Sequence, residues 1–304
     1  GDVFSRSKLM RSQRDIWILN YFDNVIPDVT PISDDKVNLD FVVEEKKSTQ
    51  RINANLGFTG EYGITGGAGV EFDNFRGKGQ KLNIGASTGT NFSIYTTQEP
   101  SKYRSLNISF QDPMINDSPY LVGASIFYSF RGSSTNYYFP LDFTVGGAVA
   151  SFGRRLEWPD DFFRVMWSAK FMQKEYEGSQ SDIDNYIGGL QKTRGISLSQ
   201  VLSRDSRNRA EFPTNGSTFI LENTYSGGFL GGNENFQKHM LTLDWFTPTF
   251  SKFILYNSVK LGVIKTLDVG DDIQSFVPFD ERFIMGGNGI PYGNALRGYP
   301  DNAI

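Results

Sequence analysis

The sequence has no cysteine among its 304 residues and a single histidine, His239. The lack of cysteine excludes disulfides, zinc thiolates, iron–sulfur clusters and cysteine nucleophiles. One histidine without cysteine argues against a catalytic triad or a metal site, and no G-x-S-x-G motif accompanies it. We therefore expect neither an enzyme nor a bound metal or other cofactor. His239 is assigned to a strand or loop near an interface.

Long apolar runs and an excess of positive charge are also missing. No stretch of about 18 apolar residues is present, so the sequence predicts no transmembrane helix. The net charge of −4 gives no overall basic field that would recruit nucleic acid. A basic-then-apolar leader is absent, which predicts either a mature fragment or an intracellular chain.

What is present is a large share of aromatic residues, 14%, together with 32 glycines. That combination is typical of many strands joined by tight turns, with aromatic side chains at interfaces. The mean hydropathy of −0.36 suits a soluble protein. It suits a transmembrane β-barrel equally well, because only alternate residues of each strand face lipid.

The first 48 residues differ from the rest of the chain. Residues 5–20 carry apolar side chains at helical spacing behind a serine, which predicts a helix. Residues 22–29 and 36–45 are predicted to be two strands on either side of a turn-rich segment. One helix and two strands are too few for a complete domain, so we expect the preceding part of this domain to be missing.

From Arg51 onward, apolar and polar residues alternate in roughly eleven segments separated by Gly, Asp, Asn and Ser. No helical pattern interrupts this long stretch. One segment alternates strictly, with Leu106, Ile108 and Phe110 as its apolar set and Asn107, Ser109 and Gln111 as its polar set. The sequence therefore predicts an antiparallel meander whose hydrophobic side chains point outward.

The composition of the polar positions distinguishes two kinds of sheet. A soluble β-sandwich also alternates, but its outward face is rich in charge. Here the polar positions are mostly Gly, Ser, Asn and Thr, and aromatic residues lie near the strand ends, as in an aromatic girdle. This favours a transmembrane β-barrel over a soluble β-protein.

Three stretches resemble ligand loops only superficially. Residues 63–70 and 227–234 are glycine-rich, but neither continues into G-K-[ST] and a helix, as a phosphate-binding loop does. Residues 268–274 hold three carboxylates without the ligand spacing of a calcium loop. We assign the first two to strands or turns, and the third to a solvated extracellular loop.

Several short motifs occur in an order that resembles the BamA-type assembly barrels of the bacterial outer membrane. The N-terminal segment carries G-x-x-F-S and then L-x-x-S. The later motifs are N-F-x-G-x-G-x-x-L from Asn74, D-P at Asp112, R-D-x-R at Arg204, E-R-F-x-x-G-G at Glu281 and R-G-Y at Arg297. Each motif is short. Their order and spacing, which cover essentially the whole chain, make the resemblance specific.

The resemblance implies a mainly β fold in two parts. Residues 1–48 would be the C-terminal part of a POTRA domain, a small α+β module. Residues 49–304 would be an antiparallel outer-membrane β-barrel. The family barrel has sixteen strands. About eleven of them are expected here, because the sequence is truncated within the sixth extracellular loop. The implied location is the cell outer membrane, with the POTRA part in the periplasm.

The resemblance also implies a function, which is to fold client β-barrel proteins and insert them through a weak barrel seam. The implied partners are unfolded outer-membrane protein clients, accessory assembly lipoproteins and outer-membrane lipid, with no nucleic acid. The alternative in the same superfamily is a two-partner-secretion-type exporter, which shares the R-G-[FY] loop and passes a polypeptide through its lumen. The POTRA-like segment and the loop motif argue against a passive porin.

The first barrel strand is the implied template for clients. An exposed strand edge leaves backbone groups unpaired, on which an incoming strand can pair. Asn and Gly have low strand propensity, which suits a weak edge. The alternative is that they are simply lumen-facing positions, and both interpretations stand. The strand comprises Ile52, Asn53, Ala54, Asn55, Leu56, Gly57 and Phe58.

The sixth loop is the second implied site. Its tip, Leu296, Arg297, Gly298 and Tyr299, would fold back into the lumen, supported by Glu281, Arg282, Phe283, Gly286 and Gly287. Arginine can hold a carboxylate through two charge-assisted hydrogen bonds, and we expect that carboxylate on a strand after Ile304. The alternative is an exposed loop arginine without measurable effect.

Overall fold

The described residues form a small N-terminal unit and one large antiparallel sheet. This computed structural model describes the chain except residues 1–2, 19–20, 34, 47–49, 60–62, 91–101, 134–139, 210–211, 270–276, 279–280, 284, 286–298 and 300–304. The N-terminal unit consists of helix α1 (Arg6–Ile18), strand β1 (Phe22–Ser33) and strand β2 (Lys36–Glu45). These elements confirm the predicted helix and two strands. Strand β1 runs past its predicted end, because its backbone pairs with β2 as far as Ser33.

The large sheet has 11 strands, and their order in space follows their order along the chain. This confirms the predicted antiparallel meander of about eleven strands. The strands are β3 (Gln50–Thr59), β4 (Gly63–Phe75), β5 (Gln80–Thr90), β6 (Lys102–Asp112), β7 (Tyr120–Arg131), β8 (Asp142–Arg155), β9 (Phe163–Glu177), β10 (Lys192–Asp205), β11 (Gly216–Ser226), β12 (Phe236–Pro248) and β13 (Ile254–Thr266).

The sheet has an apolar face and a polar face, which the cross-strand register carries from one strand to the next. Directly paired residues of antiparallel strands lie on the same face. Ile108 pairs with Ile84 and Ile126, whereas Ser109 pairs with Asn83 and Ser125. The predicted division of strand β6 into two opposite sets is therefore confirmed.

The apolar face is the exposed one. Large hydrophobic side chains on it are open along the whole sheet, among them Ile52, Leu106, Ile126, Trp167, Leu198 and Leu261. Burying apolar surface contributes about 25 cal/mol per Å², so a water-soluble protein would cover such a face. The hydrocarbon of a membrane covers this face instead. Apolar side chains on the outside are typical of the wall of a transmembrane barrel.

The polar face is the inner one, and parts of the chain fold over it. A cavity of about 280 Å³ lies against strands β4 to β8 and is lined mainly by polar side chains such as Asn83, Ser109 and Gln111. Farther along, Lys174 of β9 and Glu234 of the β11–β12 connection are fully buried on this face and form an ion pair of 3.0 Å. This ion pair is thus inside, whereas the large exposed hydrophobic side chains lie on the outer face.

One helix in the barrel region departs from the sequence prediction. Helix α2 (Gln180–Ile187) lies in the β9–β10 connection, where no helical pattern was expected. Ser179 caps its first turn by accepting a hydrogen bond from the backbone of Asp182, and Gly188 ends it in the left-handed conformation. Ile183 and Ile187, one turn apart, are its buried residues. Two apolar residues are too few for a periodic signal, so the helix escaped detection.

The buried apolar core lies beneath this helix. Strands β8 and β9 contribute Phe143 and Tyr176, whose rings stack with centroids 5.0 Å apart. The other members are Leu141, Val145, Met172, Ile183 and Ile187. The core therefore fixes the β9–β10 connection against the inner wall.

No helix among the described residues is long and apolar enough to cross a membrane.

The two ends of the sheet differ, and we name them by their connections. The turn rim carries the connections β4–β5, β6–β7, β8–β9, β10–β11 and β12–β13. The loop rim carries those that follow β3, β5, β7, β9 and β11. The N-terminal unit contacts the turn rim. Tyr21 donates a hydrogen bond to the carbonyl of Gly79 in the β4–β5 turn, and Arg14 donates one to the carbonyl of Arg207 in the β10–β11 turn.

The centre of this docking contact is Arg11. Its guanidinium contacts both carboxylate oxygens of Asp161, at 2.7 and 2.6 Å, and lies 4.3 Å above the ring centre of Phe162. Partial burial raises the pKa of Asp161, but the hydrogen bond and charge of Arg11 outweigh it, so this pKa lies below its ordinary value. The carboxylate therefore stays charged to a lower pH than a free aspartate, and its ion pair with Arg11 holds α1 at the turn rim.

The two faces of β6 predict opposite responses to a charge. Leu106→Arg should destabilise the full-length protein in lipid vesicles by about 2–4 kcal/mol if the residue lies near the bilayer centre. The neighbouring variant Asn107→Arg should cost much less, because its side chain projects into the polar interior. Urea unfolding followed by tryptophan fluorescence measures both. Equal costs, or a larger cost at Asn107, would show that the faces are assigned the wrong way round.

Candidate functional site

The first strand, β3, pairs with β4 and with no other described strand. Ile52 and Leu56 project from its apolar face and are 81% and 82% exposed. On the polar face, Asn53 and Asn55 pair with Gly69 and Gly67 of β4, and Gly57 pairs with Thr65. Small residues on both strands leave few side-chain contacts. The structure thus brings the predicted strand residues together as one edge, in which Ala54 pairs with Ala68 and Phe58 with Ile64 of β4.

The sixth connection at the loop rim begins where β13 ends, at Thr266. Five connections between described strands precede it at this rim. The described part of this connection turns back over the polar face of β12 and β13. Two residues of the E-R-F motif, Glu281 and Phe283, make the contacts.

Glu281 and Phe283 anchor this segment to the wall. Lys238 of β12 donates a hydrogen bond to the backbone carbonyl of Glu281 at 2.9 Å, and its Nζ lies 3.0 Å from the carboxylate. The same ammonium lies 5.4 Å from the ring centre of Phe283. That ring covers Gly262 of β13, where an added Cβ would come within 2.5 Å of it. Glycine at 262 therefore makes room for the ring.

The remaining sixth-loop residues divide into described and undescribed ones. Arg282 donates from Nε to the backbone carbonyl of Val277 at 3.1 Å, which stabilises the segment itself. Tyr299 is about half exposed. Gly286, Gly287, Leu296, Arg297 and Gly298 lie outside the described residues, so the predicted contact of Arg297 stays a prediction.

The other motifs hold the turn rim together. Asn74 accepts a hydrogen bond from the backbone of Gly79 at 2.7 Å, which closes the β4–β5 turn through two left-handed glycines. Asp112 links two strands by accepting from the side chain of Gln80 at 2.8 Å. Arg204 reaches the neighbouring turn, where two of its nitrogens lie 2.9 Å from one carboxylate oxygen of Asp160. These motif residues are structural.

Residues that the sequence did not single out join the fifth connection to the wall. The carboxylate of Glu234 lies 3.0 Å from Nζ of Lys174 and accepts a hydrogen bond from Thr193 at 2.6 Å. Gly232 forms an isolated bridge with Gly195, and a Cβ at 195 would meet the Glu234 carboxylate. Lys238 and Gly262 were missed in the same way. Alternation assigns Lys238 and Gly262 to the polar face, but their partners come from a distant segment.

His239 lies on the apolar face of β12, and its Nδ1 is 2.8 Å from the side-chain oxygen of Asn223 on β11. The structure thus confirms a strand position for this histidine. Among the described residues, no group of three or more His, Asp or Glu side chains is arranged to hold a metal ion.

Comparison with known proteins agrees with this geometry. The model of the Omp85 superfamily domain matches residues 74–304. The chain is 26% identical over 314 aligned residues to the outer membrane protein assembly factor BamA of Nitratidesulfovibrio vulgaris, an alignment that covers all of this chain and 35% of that relative. The chain therefore spans about a third of the relative's length.

Two solved structures have the same fold. The crystal structure of BamA from Haemophilus ducreyi lacking POTRA domains 1–3 superposes with a TM-score of 0.67 at 18% identity, over 100% of this chain and 59% of that one. CdiB from Acinetobacter baumannii gives a TM-score of 0.59 at 16% identity, over 97% of this chain and 52% of that one. At these identities the likeness shows the fold alone.

The contact between Phe283 and Gly262 predicts that a larger residue at position 262 loosens the sixth connection. Gly262→Val should displace the ring and lower the hydrogen-exchange protection of residues 281–283 several-fold, because a partly buried phenylalanine contributes about 1–2 kcal/mol. Gly146→Val is the matched control, since a Cβ there meets no atom closer than 3.9 Å. Unchanged exchange in Gly262→Val would mean that the ring does not hold the segment.

Proposed function

Because the chain belongs to the Omp85 superfamily, we propose that it forms the barrel region of an outer-membrane β-barrel assembly factor. In this role it folds and inserts client β-barrel proteins without enzymatic chemistry of its own. The observation that carries the proposal is the similarity to an assembly factor along the whole chain. A second relative, the BamA of Neisseria meningitidis, is 24% identical over 99% of this chain.

The proposed mechanism follows from the edge of β3. In hydrocarbon, an unpaired N–H or C=O group costs several kcal/mol, so a client strand gains free energy by pairing with this edge. In a closed, strong seam these backbone groups are already paired. A weak seam leaves them available, so that an incoming client can pair with them strand by strand. The small residues at Asn53, Asn55 and Gly57 keep side-chain contacts few.

The proposed surroundings follow from the same role. Residues 1–48 form part of a POTRA domain in the periplasm, and the turn rim that α1 contacts therefore faces the periplasm. The barrel lies in outer-membrane lipid, and the partners are unfolded client proteins and the accessory lipoproteins of the assembly machine. The exporter alternative rests on the R-G-Y motif, whereas the names of the relatives support assembly.

Cross-linking tests the template strand. In the full-length protein, cysteines at Asn53 and Asn55 should cross-link to the C-terminal strand of a stalled client in an ordered register. Cysteines at Ser105 and Asn107, on the same face of β6, are the matched controls and should cross-link rarely, because β6 already has two neighbours. If β3 cross-links were no more frequent than those from β6, β3 would not be a special edge.

The sixth-loop tip gives an independent prediction. Arg297→Ala should lower barrel stability and client assembly, by roughly 3–5 kcal/mol if the arginine is part of a buried ion pair. Arg297→Lys should restore only part of both, because a point charge does not reproduce the planar guanidinium. Gel mobility with and without heating measures barrel stability. Wild-type heat-modifiability and assembly rates in the alanine variant would refute an anchoring role.

A further inference from the structure

A charged cluster joins the first strand to its neighbours at the turn rim. Nη2 of Arg51, the second residue of β3, lies 3.1 Å from Glu71 and 2.7 Å from Asp73, both on β4. Lys81 of β5 lies 3.8 Å from the other oxygen of Asp73. We call these four residues the clasp. The clasp connects three strands through side chains alone.

Burial makes the clasp stronger than an ordinary surface ion pair. The side chain of Asp73 is 4% exposed, whereas that of Arg51 is 50% exposed. If Arg51 separates, the buried carboxylate of Asp73 keeps only Lys81 at 3.8 Å to offset its desolvation, so this separation is disfavoured. Exposed ion pairs, by contrast, contribute little. The first turn-rim residues of β3 are therefore held to β4 by more than the backbone ladder.

The rest of the strand has no comparable attachment. Among the described residues, no side-chain hydrogen bond or ion pair joins residues 52–57 to β4. Ile52 and Leu56 are almost fully exposed, and the β4 residues opposite Asn53 and Asn55 are glycines. Regions with few side-chain contacts open first, so fraying of β3 begins away from the clasp.

We propose that Arg51 is a positioning residue that fixes the turn-rim end of the first strand to β4, while the backbone ladder alone holds the remainder. An incoming strand then pairs with an edge of which one end is immobile. The clasp defines the register of that pairing, counted from Arg51. This register role rests on the proposed template function, but the unequal attachment of β3 does not.

Hydrogen exchange tests the attachment without any client. Adjacent amides of a strand point to opposite edges, so one of Ile52 and Asn53 and the matching one of Leu56 and Gly57 are bonded to β4. In the full-length protein in lipid nanodiscs, the bonded amide of the first pair should exchange at least about tenfold more slowly than that of the second. Arg51→Gln should abolish this difference, and Arg51→Lys should restore part of it. Arg104→Gln on β6 is the matched control and should leave it intact. Heat-modifiable gel mobility confirms that each variant is folded.

Asp73→Asn provides a second route to the same result, because it removes the buried charge and leaves Arg51 in place. Loss of the difference in both variants supports the clasp. Uniform exchange along β3 in the wild type, or a difference that survives Arg51→Gln, overturns it.

The register role has its own readout in client cross-linking. With Arg51→Gln, cross-links from Asn53 and Asn55 should spread over neighbouring client positions, whereas the wild type gives one register. An unchanged register refutes the role of Arg51 in positioning. If the wild type shows the exchange difference but never cross-links to clients from β3, the proposed function fails and the clasp stands.

Discussion

Backbone hydrogen bonding in a medium without water is the constraint on which the structure depends. Each strand from β4 to β12 satisfies its backbone through two antiparallel neighbours, so the apolar face can be given over to lipid contact. The placement of the side chains follows from this backbone pairing. Leu106 and Ile126 on one face remain exposed, while Lys174 and Glu234 on the other are buried together. The usual arrangement of a soluble core is thereby reversed.

The inner wall is attached unevenly, and this unevenness suits the proposed function. At the loop rim, β9 and β10 carry an apolar core, a helix and the buried contact of Glu234 with Lys174 and Thr193. Beside them, Glu281 and Phe283 hold the sixth connection to β12 and β13. The first strand has small residues and one charged attachment at Arg51. The wall thus supports a first strand that is fixed at one end and has one described neighbour, which suits a template for incoming strands.

Local alternation was enough to predict the strands, because the two-residue period of Leu106 to Gln111 determines both the element and its faces. The turn motifs were also visible, since Asn74 and Gly79 act within a few residues of each other. Helix α2 was missed because only Ile183 and Ile187 mark its buried side. The attachment of Glu281 to Lys238 was missed for a different reason. The partners are 43 residues apart, and only the register of β12 and the return of the sixth connection bring them together.

In the proposed function, this barrel lowers the barrier to folding of other β-barrels in a membrane. The most direct measurement is the folding rate of a purified, urea-unfolded client in vesicles of outer-membrane lipid, with and without the full-length protein. A preformed porin in equal amount is the control for bilayer disturbance. We expect an acceleration of about tenfold or more, which corresponds to at least about 1.4 kcal/mol of barrier. A client folding rate no higher than that with the porin would contradict it.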